Sequence, residues 1–119
     1  MESKQIIKAL EALAQDSRLA AFRALVKAGL PGLTPTVLSE KLNLPAPTLS
    51  FHLAQLRHAG LVDVTRNGRS LIYVANYDAM NGVVAFLTEN CCADAGCAPA
   101  SCKPKEKTNE TPARTRRRA

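Results

Sequence analysis

The four cysteines of this 119-residue chain all lie in one short segment near its C-terminal end. They are Cys91, Cys92, Cys97 and Cys102, and no cysteine precedes them. Thiolates bind soft metal and metalloid ions, and neighbouring thiols can oxidise to disulfides. The N-terminus has no signal-peptide pattern and no apolar run is long enough for a membrane span, so we expect a cytoplasmic protein whose thiols stay reduced. The segment is therefore predicted to hold metal, metalloid or redox ligands.

Most of the positive charge lies beyond this segment. The chain carries a formal net charge of +6, of which residues 103–119 contribute +5 and residues 1–102 only +1. Residues 103–119 have no apolar side chain larger than alanine apart from two prolines, which predicts a disordered tail. This tail either adds sequence-independent attraction to phosphate or is simply a solvated end. We divide the chain into a folded domain (1–92), a cysteine-rich segment (91–102) and the tail (103–119).

Four amphipathic helices are predicted in the first half of the chain. Apolar residues at helical spacing indicate helices over 3–15 and from Asp16 to about Gly29. Thr34 and Pro35 are typical of an N-cap and the first helical position, which opens a short helix ending near Asn43. Pro47 opens the next helix, and Gly60 lies just past its end. In the two last helices, Leu38 and Leu42 are predicted to face inward and Leu49, Leu53 and Leu56 to form the core stripe. The apolar residues at helical spacing in the first two are Ile6, Ile7, Leu10, Leu13 and Ala14, and Leu19, Phe22, Leu25 and Val26.

A β-hairpin and a final helix are predicted to follow. Asn67-Gly68 separates two β-rich runs, and with a two-residue turn there, Arg66 would face Arg69. Val64 would then face Leu71 and Val62 would face Tyr73. Like charges at the hairpin tip would make sense if an anion lies between them. The last helix is predicted from Asp78 to Cys92, with Met80, Val83, Val84, Leu87 and Cys91 on one face. The fold class is mostly α with a β-hairpin wing (α+β), a winged helix-turn-helix.

The 47–60 helix has a face that suits the DNA major groove. Phe51 and Gln55 lie opposite the leucine stripe, where an apolar ring can meet thymine methyls and an amide can pair with adenine. Phe51 could instead pack under another helix, and His52 is more easily read as a hydrogen-bonded residue at the edge of the core. Ser50 and Arg57 suit phosphate oxygens. The predicted DNA-binding residues are Pro47, Thr48, Ser50, Phe51, His52, Gln55 and Arg57 on the helix and Arg66, Asn67 and Arg69 on the wing.

The stretch from Leu38 to Tyr73 resembles the ArsR/SmtB family of bacterial metalloregulatory repressors. The resemblance rests on Ser50-Phe51-His52-Leu53, on the run from Leu56 to Val62, and on the Arg66-Asn67-Gly68-Arg69 tip, and it covers roughly residues 5 to 92. It implies a homodimer that binds double-stranded DNA at a pseudo-palindromic operator, represses transcription, and dissociates when an inducer binds. The first and last helices would form the dimer interface.

The chain departs from the family where inducers usually bind. Thr34, Thr36 and Ser39 stand where the arsenic-sensing prototype has cysteines, and Met80 to Ala100 lacks the histidines of the zinc-sensing relatives. The cysteine cluster instead resembles an alternative arsenic site with a vicinal pair and a third cysteine downstream. Trivalent arsenic or antimony, As(III) or Sb(III), is therefore the expected inducer, with Cys91, Cys92 and either Cys97 or Cys102 as ligands. No catalytic cofactor is expected.

Other interpretations of the cysteines stay open. A repressor tuned to methylated trivalent arsenic would need two thiolates, and four could hold zinc or cadmium. A thiol redox switch would release DNA without any ion. A metal-storage protein with an incidental winged helix would have no operator. An enzyme is not expected, because no carboxylate pair, nucleophile triad or phosphate-binding loop occurs.

Overall fold

The computed structural model describes residues 2–95 and confirms the predicted winged helix-turn-helix. Four helices come first, followed by a two-stranded antiparallel hairpin and a last helix. One compact unit extends to Leu87, and of the described residues those from 88 to 95 belong to a second. The elements are α1 (Ser3–Leu13), α2 (Asp16–Ala28), α3 (Pro35–Leu42), α4 (Ala46–His58), β1 (Val62–Asn67), β2 (Ser70–Ala75) and α5 (Tyr77–Thr88).

The ends of α3 and α4 follow from local chemistry. The Thr34 hydroxyl accepts a hydrogen bond from the Val37 amide at 3.3 Å, and Pro35 occupies the first turn, as predicted. Asn43 ends α3 in the left-handed region with φ 56°, and the chain passes through a short turn into α4. Gly60 follows α4 with φ 80°, which confirms its predicted place past the helix end.

Leucines from α2, α3 and α4 form the centre of the core. Each fully buried leucine contributes roughly 1.5–3 kcal/mol relative to an exposed one. Leu19, which shares the helical spacing of Phe22 and Leu25, is 44 % exposed, because the buried face of α2 passes through Ala21, Phe22 and Leu25. The largest fully buried side chains are Leu25, Leu38, Leu49, Leu53, Leu56 and Leu61.

The hairpin register differs from the prediction by two residues. Arg66 faces Leu71, Val64 faces Tyr73 and Asn67 faces Ser70, so the predicted opposition of Arg66 and Arg69 is wrong. The turn residues are Gly68 and Arg69, and Gly68 has φ 65°. The observed turn needs a positive φ only at its first central residue, and Gly68 adopts it easily. The predicted turn would have required a positive φ at both Asn67 and Gly68.

A third chain segment fixes this register. The Leu33 amide donates to the Tyr73 carbonyl at 3.0 Å, and the Tyr73 amide donates to the Leu33 carbonyl at 2.8 Å. The Asn76 amide also donates to the Leu61 carbonyl at 2.8 Å, which extends the same register beyond the strands. Slipping the hairpin by two residues into the predicted register would misalign it with these bonds.

The last helix is shorter than predicted. It begins at Tyr77, where the Asn76 side chain accepts from the Ala79 amide at 3.0 Å, and it ends at Thr88 rather than at Cys92. Asn90 and Cys92 adopt positive φ values of 60° and 61°, which no α-helix can continue through. Cys91 and Cys92 therefore lie in the turns that follow α5, with the Cys91 amide donating to the Thr88 carbonyl at 3.1 Å.

Two helices expose part of their apolar surface. On α1, Ile7 and Leu10 are 56 % and 40 % exposed, while Ile6 is buried. On α5, Val84 and Leu87 are 56 % and 61 % exposed, while Val83 is buried. Along the part of the chain that the structure describes, no helix combines the length and apolar character that a bilayer span requires.

Candidate nucleic-acid interface and thiol segment

Helix α4 presents a polar and aromatic face to solvent on the side opposite its leucines. Leu49, Leu53 and Leu56 anchor the helix in the core. Because the helix turns 100° per residue, Phe51, Ala54 and Gln55 face outward. The exposed predicted DNA-binding residues of α4 are Pro47, Thr48, Ser50, Phe51, Gln55 and Arg57.

Phe51 is the most informative of these residues. Its ring is 58 % exposed, so it does not pack under a neighbouring helix as one interpretation of the sequence allowed. An exposed aromatic ring of this size offers a large apolar surface to a binding partner. Phe51 lies in the N-terminal half of the second helix of the motif, the part of a recognition helix that contacts base edges.

His52 occupies a different environment from the other residues in the predicted set. It is only 8 % exposed, it lies edge-on to the Phe51 ring at a centroid distance of 5.7 Å, and its Nδ1 lies 3.3 Å from Nη1 of Arg18. Burial, and then the nearby Arg18 charge, lower the pKa of His52 from its ordinary value of 6.5. His52 therefore lies at the edge of the core, behind the exposed face of α4.

The wing also presents cations to solvent. Arg66, Asn67 and Arg69 are all exposed at the tip of the hairpin. Neither arginine forms an ion pair or hydrogen bond that the structure shows within residues 2–95. Exposed guanidiniums of this kind bind phosphate oxygens well, because their donors match a phosphate bidentately.

The thiol segment contains two of the four predicted ligands. The sulfur atoms of Cys91 and Cys92 lie 3.7 Å apart, and Cys92 also takes part in a disulfide bond. Cys97 and Cys102 lie outside the described residues, as do residues 103–119. In the described range, no three His, Cys, Asp or Glu side chains come together as metal ligands.

The hydroxyls on α3 serve the helix rather than a ligand site. Thr34 caps the first turn, and the Ser39 hydroxyl donates to the Leu44 carbonyl at the helix end. Hydroxyls are also poor ligands for soft ions. These two hydroxyls are therefore engaged at the two ends of α3.

A cleft of about 670 Å³ between α2 and α3 contains three further cations. Arg23, Lys27 and Lys41 line it above a floor that includes Leu33 and Leu42. All three cations are exposed, so no buried polar group marks this cleft as a built binding site.

Comparison with known proteins places this geometry in a family. The helix-turn-helix domain family HTH_20 matches residues 13–65. The HTH-type transcriptional regulator YgaV of Escherichia coli is 30 % identical over 90 residues, which cover 76 % of this chain and 89 % of YgaV. The chain belongs to the HTH-type transcriptional regulators. This result also confirms the prediction that the protein is not an enzyme.

Solved structures share the regulator's fold. An ArsR-like regulator from Rhodococcus sp. RHA1 has a TM-score of 0.63 at 23 % identity and covers 71 % of this chain and 76 % of its own. Reduced HlyU from Vibrio cholerae has a TM-score of 0.58 at 27 % identity, and the match covers 71 % of this chain and 90 % of HlyU. The homodimeric winged helix-turn-helix domain of Mb0332 from Mycobacterium bovis has a TM-score of 0.60 at 21 % identity, and the match covers 71 % of this chain and 76 % of that domain.

Sequence reasoning missed one residue beneath the interface, Arg18. It lies four residues before Phe22 and seven before Leu25, on the buried face of α2. A charged residue at helical spacing with core residues signals a buried polar partner. That spacing was the available signal, and the partner is His52.

Proposed function

We propose that this regulator is a homodimeric repressor that binds a pseudo-palindromic operator in double-stranded DNA and is released by trivalent arsenic or antimony. The exposed Phe51 on the outer face of α4 carries the DNA-binding part of the proposal. In each half-site, α4 enters the major groove with Phe51 and Gln55 at base edges, while Arg66 and Arg69 of the wing bind phosphates.

The exposed apolar residues on α1 and α5 support the dimer. Ile7 and Leu10 on α1 and Val84 and Leu87 on α5 are each at least 40 % exposed. Burying such side chains between two copies contributes roughly 25 cal/mol per Å² of apolar area, which offsets the entropy lost on association. A two-fold dimer also sets the spacing of the two α4 helices at about one turn of DNA, roughly 34 Å.

The cysteine cluster is the proposed inducer site. Once the disulfide at Cys92 is reduced, Cys91 and Cys92, whose sulfurs lie 3.7 Å apart in the structure, are close enough to bind one ion together. As(III) and Sb(III) are soft and favour thiolates. Cys91, Cys92 and either Cys97 or Cys102 would complete a three-sulfur site.

Release of DNA requires only a modest energy difference. A hundredfold loss of operator affinity corresponds to about 2.7 kcal/mol of differential binding between the two conformations. Ion binding would reorganise the turns directly after α5. The exposed residues of α5 belong to the proposed dimer interface. The separation of the two α4 helices would then change, and both half-sites would lose contact together.

The test combines DNA release with spectroscopy of the bound ion. An operator is first selected by the reduced protein from a random double-stranded DNA library. One equivalent of arsenite should release it, and Cys91→Ser with Cys92→Ser should abolish the release while leaving operator affinity unchanged. Release that persists in this double variant would exclude the proposed site.

Arsenic X-ray absorption then assigns the ligands. Reduced protein with one equivalent of arsenite should show three sulfur neighbours, and the single variants Cys97→Ser and Cys102→Ser form a matched pair. The variant that falls to two sulfurs identifies the third ligand. Two sulfurs in the unsubstituted protein would instead indicate a methylated arsenical as inducer, and four with zinc or cadmium would indicate a metal sensor.

A thiol redox switch is the second candidate, and the disulfide at Cys92 favours it. Two thiols lose two electrons and two protons to an oxidant such as peroxide when the bond forms. Mild peroxide in the presence of a chelator should then release the operator, and a dithiol reductant should restore binding. Release by arsenite in reducing buffer with no response to peroxide would exclude this alternative.

A further inference from the structure

Arg18 connects three helices through its guanidinium. Its Nε donates to the Ala12 carbonyl in the last turn of α1 at 2.7 Å, and its Nη1 lies 3.3 Å from Nδ1 of His52 on α4. The residue itself belongs to the first turn of α2 and is half-buried. One side chain therefore joins the helix of the proposed dimer interface to the helix that faces DNA.

The environment of Arg18 distinguishes it from the other charged residues nearby. Four elements pack against α4, namely α1, α2, α3 and β1. Apart from Arg18, every charged residue on these elements and every charged or titratable residue on α4 other than His52 is exposed. These exposed residues are Lys4, Lys8, Glu11, Asp16, Arg23, Lys27, Glu40, Lys41, Asp63, Arg66, Arg57 and His58. A guanidinium withdrawn from water depends on its hydrogen-bond acceptors, since leaving one unmade costs about 1–3 kcal/mol.

The contact requires a neutral imidazole. A guanidinium can only donate hydrogen bonds, so Nδ1 of His52 must accept and its proton must lie on Nε2. Protonation of His52 would remove the acceptor and place a second positive charge beside Arg18. The contact would then change from attractive to repulsive.

We propose that Arg18 is a positioning residue that fixes α4 against α1 and α2 through neutral His52, so that operator affinity falls when His52 is protonated. This inference rests on the proposed function in one respect, that α4 is the helix that binds DNA. Arg18 does not itself touch DNA in this scheme. It sets the angle at which Phe51 and Gln55 reach the bases.

The lowered pKa of His52 agrees with this geometry. The folded protein resists protonating this histidine, so the neutral form and its contact with Arg18 dominate at neutral pH. The acidic side chains on the packed elements, including Glu11, Glu40 and Asp63, are exposed, and none contacts the imidazole in the described residues. No carboxylate therefore counteracts the effect of Arg18.

The decisive variant is His52→Asn. The Asn side-chain oxygen lies near the position of Nδ1, accepts from Arg18 and does not titrate in this range. Affinity for the selected operator is measured by fluorescence anisotropy between about pH 8 and pH 5.5 at constant ionic strength, where histidines titrate. The unsubstituted protein should lose about tenfold in affinity towards low pH, and His52→Asn should lose almost none. His58→Asn, on the exposed end of the same helix, is the matched control and should keep the full loss.

Arg18→Met tests the other side of the contact. It should bind the operator about tenfold more weakly at neutral pH and show little further pH dependence, with the slope of log affinity against log salt unchanged. A smaller salt slope would instead show that Arg18 contacts phosphate directly. Circular dichroism at each pH confirms that only folded protein is compared. The proposal would be overturned if the operator affinity of His52→Asn depended on pH as strongly as that of the unsubstituted protein, or if Arg18→Met bound the operator with full affinity.

A measurement without DNA separates this inference from the proposed function. Amide chemical shifts of Phe51 and Gln55 should move on acidification in the unsubstituted protein and stay fixed in His52→Asn. Unchanged α4 shifts in both proteins would overturn the positioning role even if DNA binds. If no DNA sequence is selected, the proposed function fails, while these shifts still decide whether Arg18 and His52 position α4.

Discussion

Removing the two arginines at the wing tip should lower the salt dependence of operator binding. Arg66 and Arg69 are exposed, and the observed register places Arg66 opposite Leu71 rather than opposite Arg69. The two guanidiniums therefore start from different positions on the hairpin and can bind separate phosphates. In a dimer, replacing both with glutamine would remove four phosphate contacts.

The size of the effect follows from counterion release. Each lost phosphate contact reduces the slope of log affinity against log salt by about 0.9, so the double variant should have a slope smaller by about 3.6. Doubling the salt concentration would then reduce the affinity gap between the two proteins by about tenfold. Each single variant should account for about half of the change in slope.

The assay is a salt titration of operator binding by fluorescence anisotropy. Arg23→Gln removes from α2 the same charge that each single wing variant removes, and it should leave the slope unchanged. Phe51→Ala should also preserve the slope but reduce the preference for operator over random DNA, by about 1–3 kcal/mol. An unchanged slope in the wing double variant, or an equal fall in Arg23→Gln, would refute the assignment of the wing to phosphate.

Three further predictions concern folding and assembly. Gly32→Ala should lower the free energy of unfolding by about 2–4 kcal/mol in a urea titration, because φ is 70° there and the new Cβ would lie 2.5 Å from the Tyr73 carbonyl oxygen. Gly60→Ala is the control: φ is 80° but nothing lies within 4 Å of the new Cβ, so the free energy of unfolding should fall by only about 1–2 kcal/mol. Because the pKa of His52 is lowered in the folded protein, the unfolded chain protonates this histidine more readily. The free energy of unfolding should therefore fall as pH drops below about 6.5 and level off below the folded-state pKa. His52→Asn should remove this contribution. Leu87→Glu should shift the protein from dimer towards monomer in sedimentation experiments, and no change would exclude this residue from the interface.

The helix boundaries could be predicted because local chemistry determines them. Thr34 with Pro35 and the glycine past α4 each satisfy a requirement of the backbone alone. The end of α5 was predicted less well, because apolar spacing continued to Cys91 while Asn90 had already left the helical region. Periodicity identifies a possible face, but it does not show where the backbone stops following it.

The hairpin register required information from a distant segment. Asn67-Gly68 is a strong local turn signal, yet the strands pair so that Gly68 and Arg69 form the turn. Leu33 bonds to Tyr73 through both backbone groups, and this pairing holds β2 in place. Long-range backbone bonds of this kind override a local preference worth only a fraction of their combined energy.

The exposed face of α4 could be predicted from the sequence, whereas the contact between Arg18 and His52 beneath it could not. Phe51 and Gln55 could be assigned by rotation around one helix, because Leu49, Leu53 and Leu56 define which side is buried. The Arg18–His52 contact joins residues thirty-four positions apart, and each of them alone looks ordinary. Only the packing of α2 against α4 makes them partners. If His52→Asn removes the pH dependence of operator affinity, the residue that decides how α4 meets DNA will be one that does not lie on the DNA-facing surface.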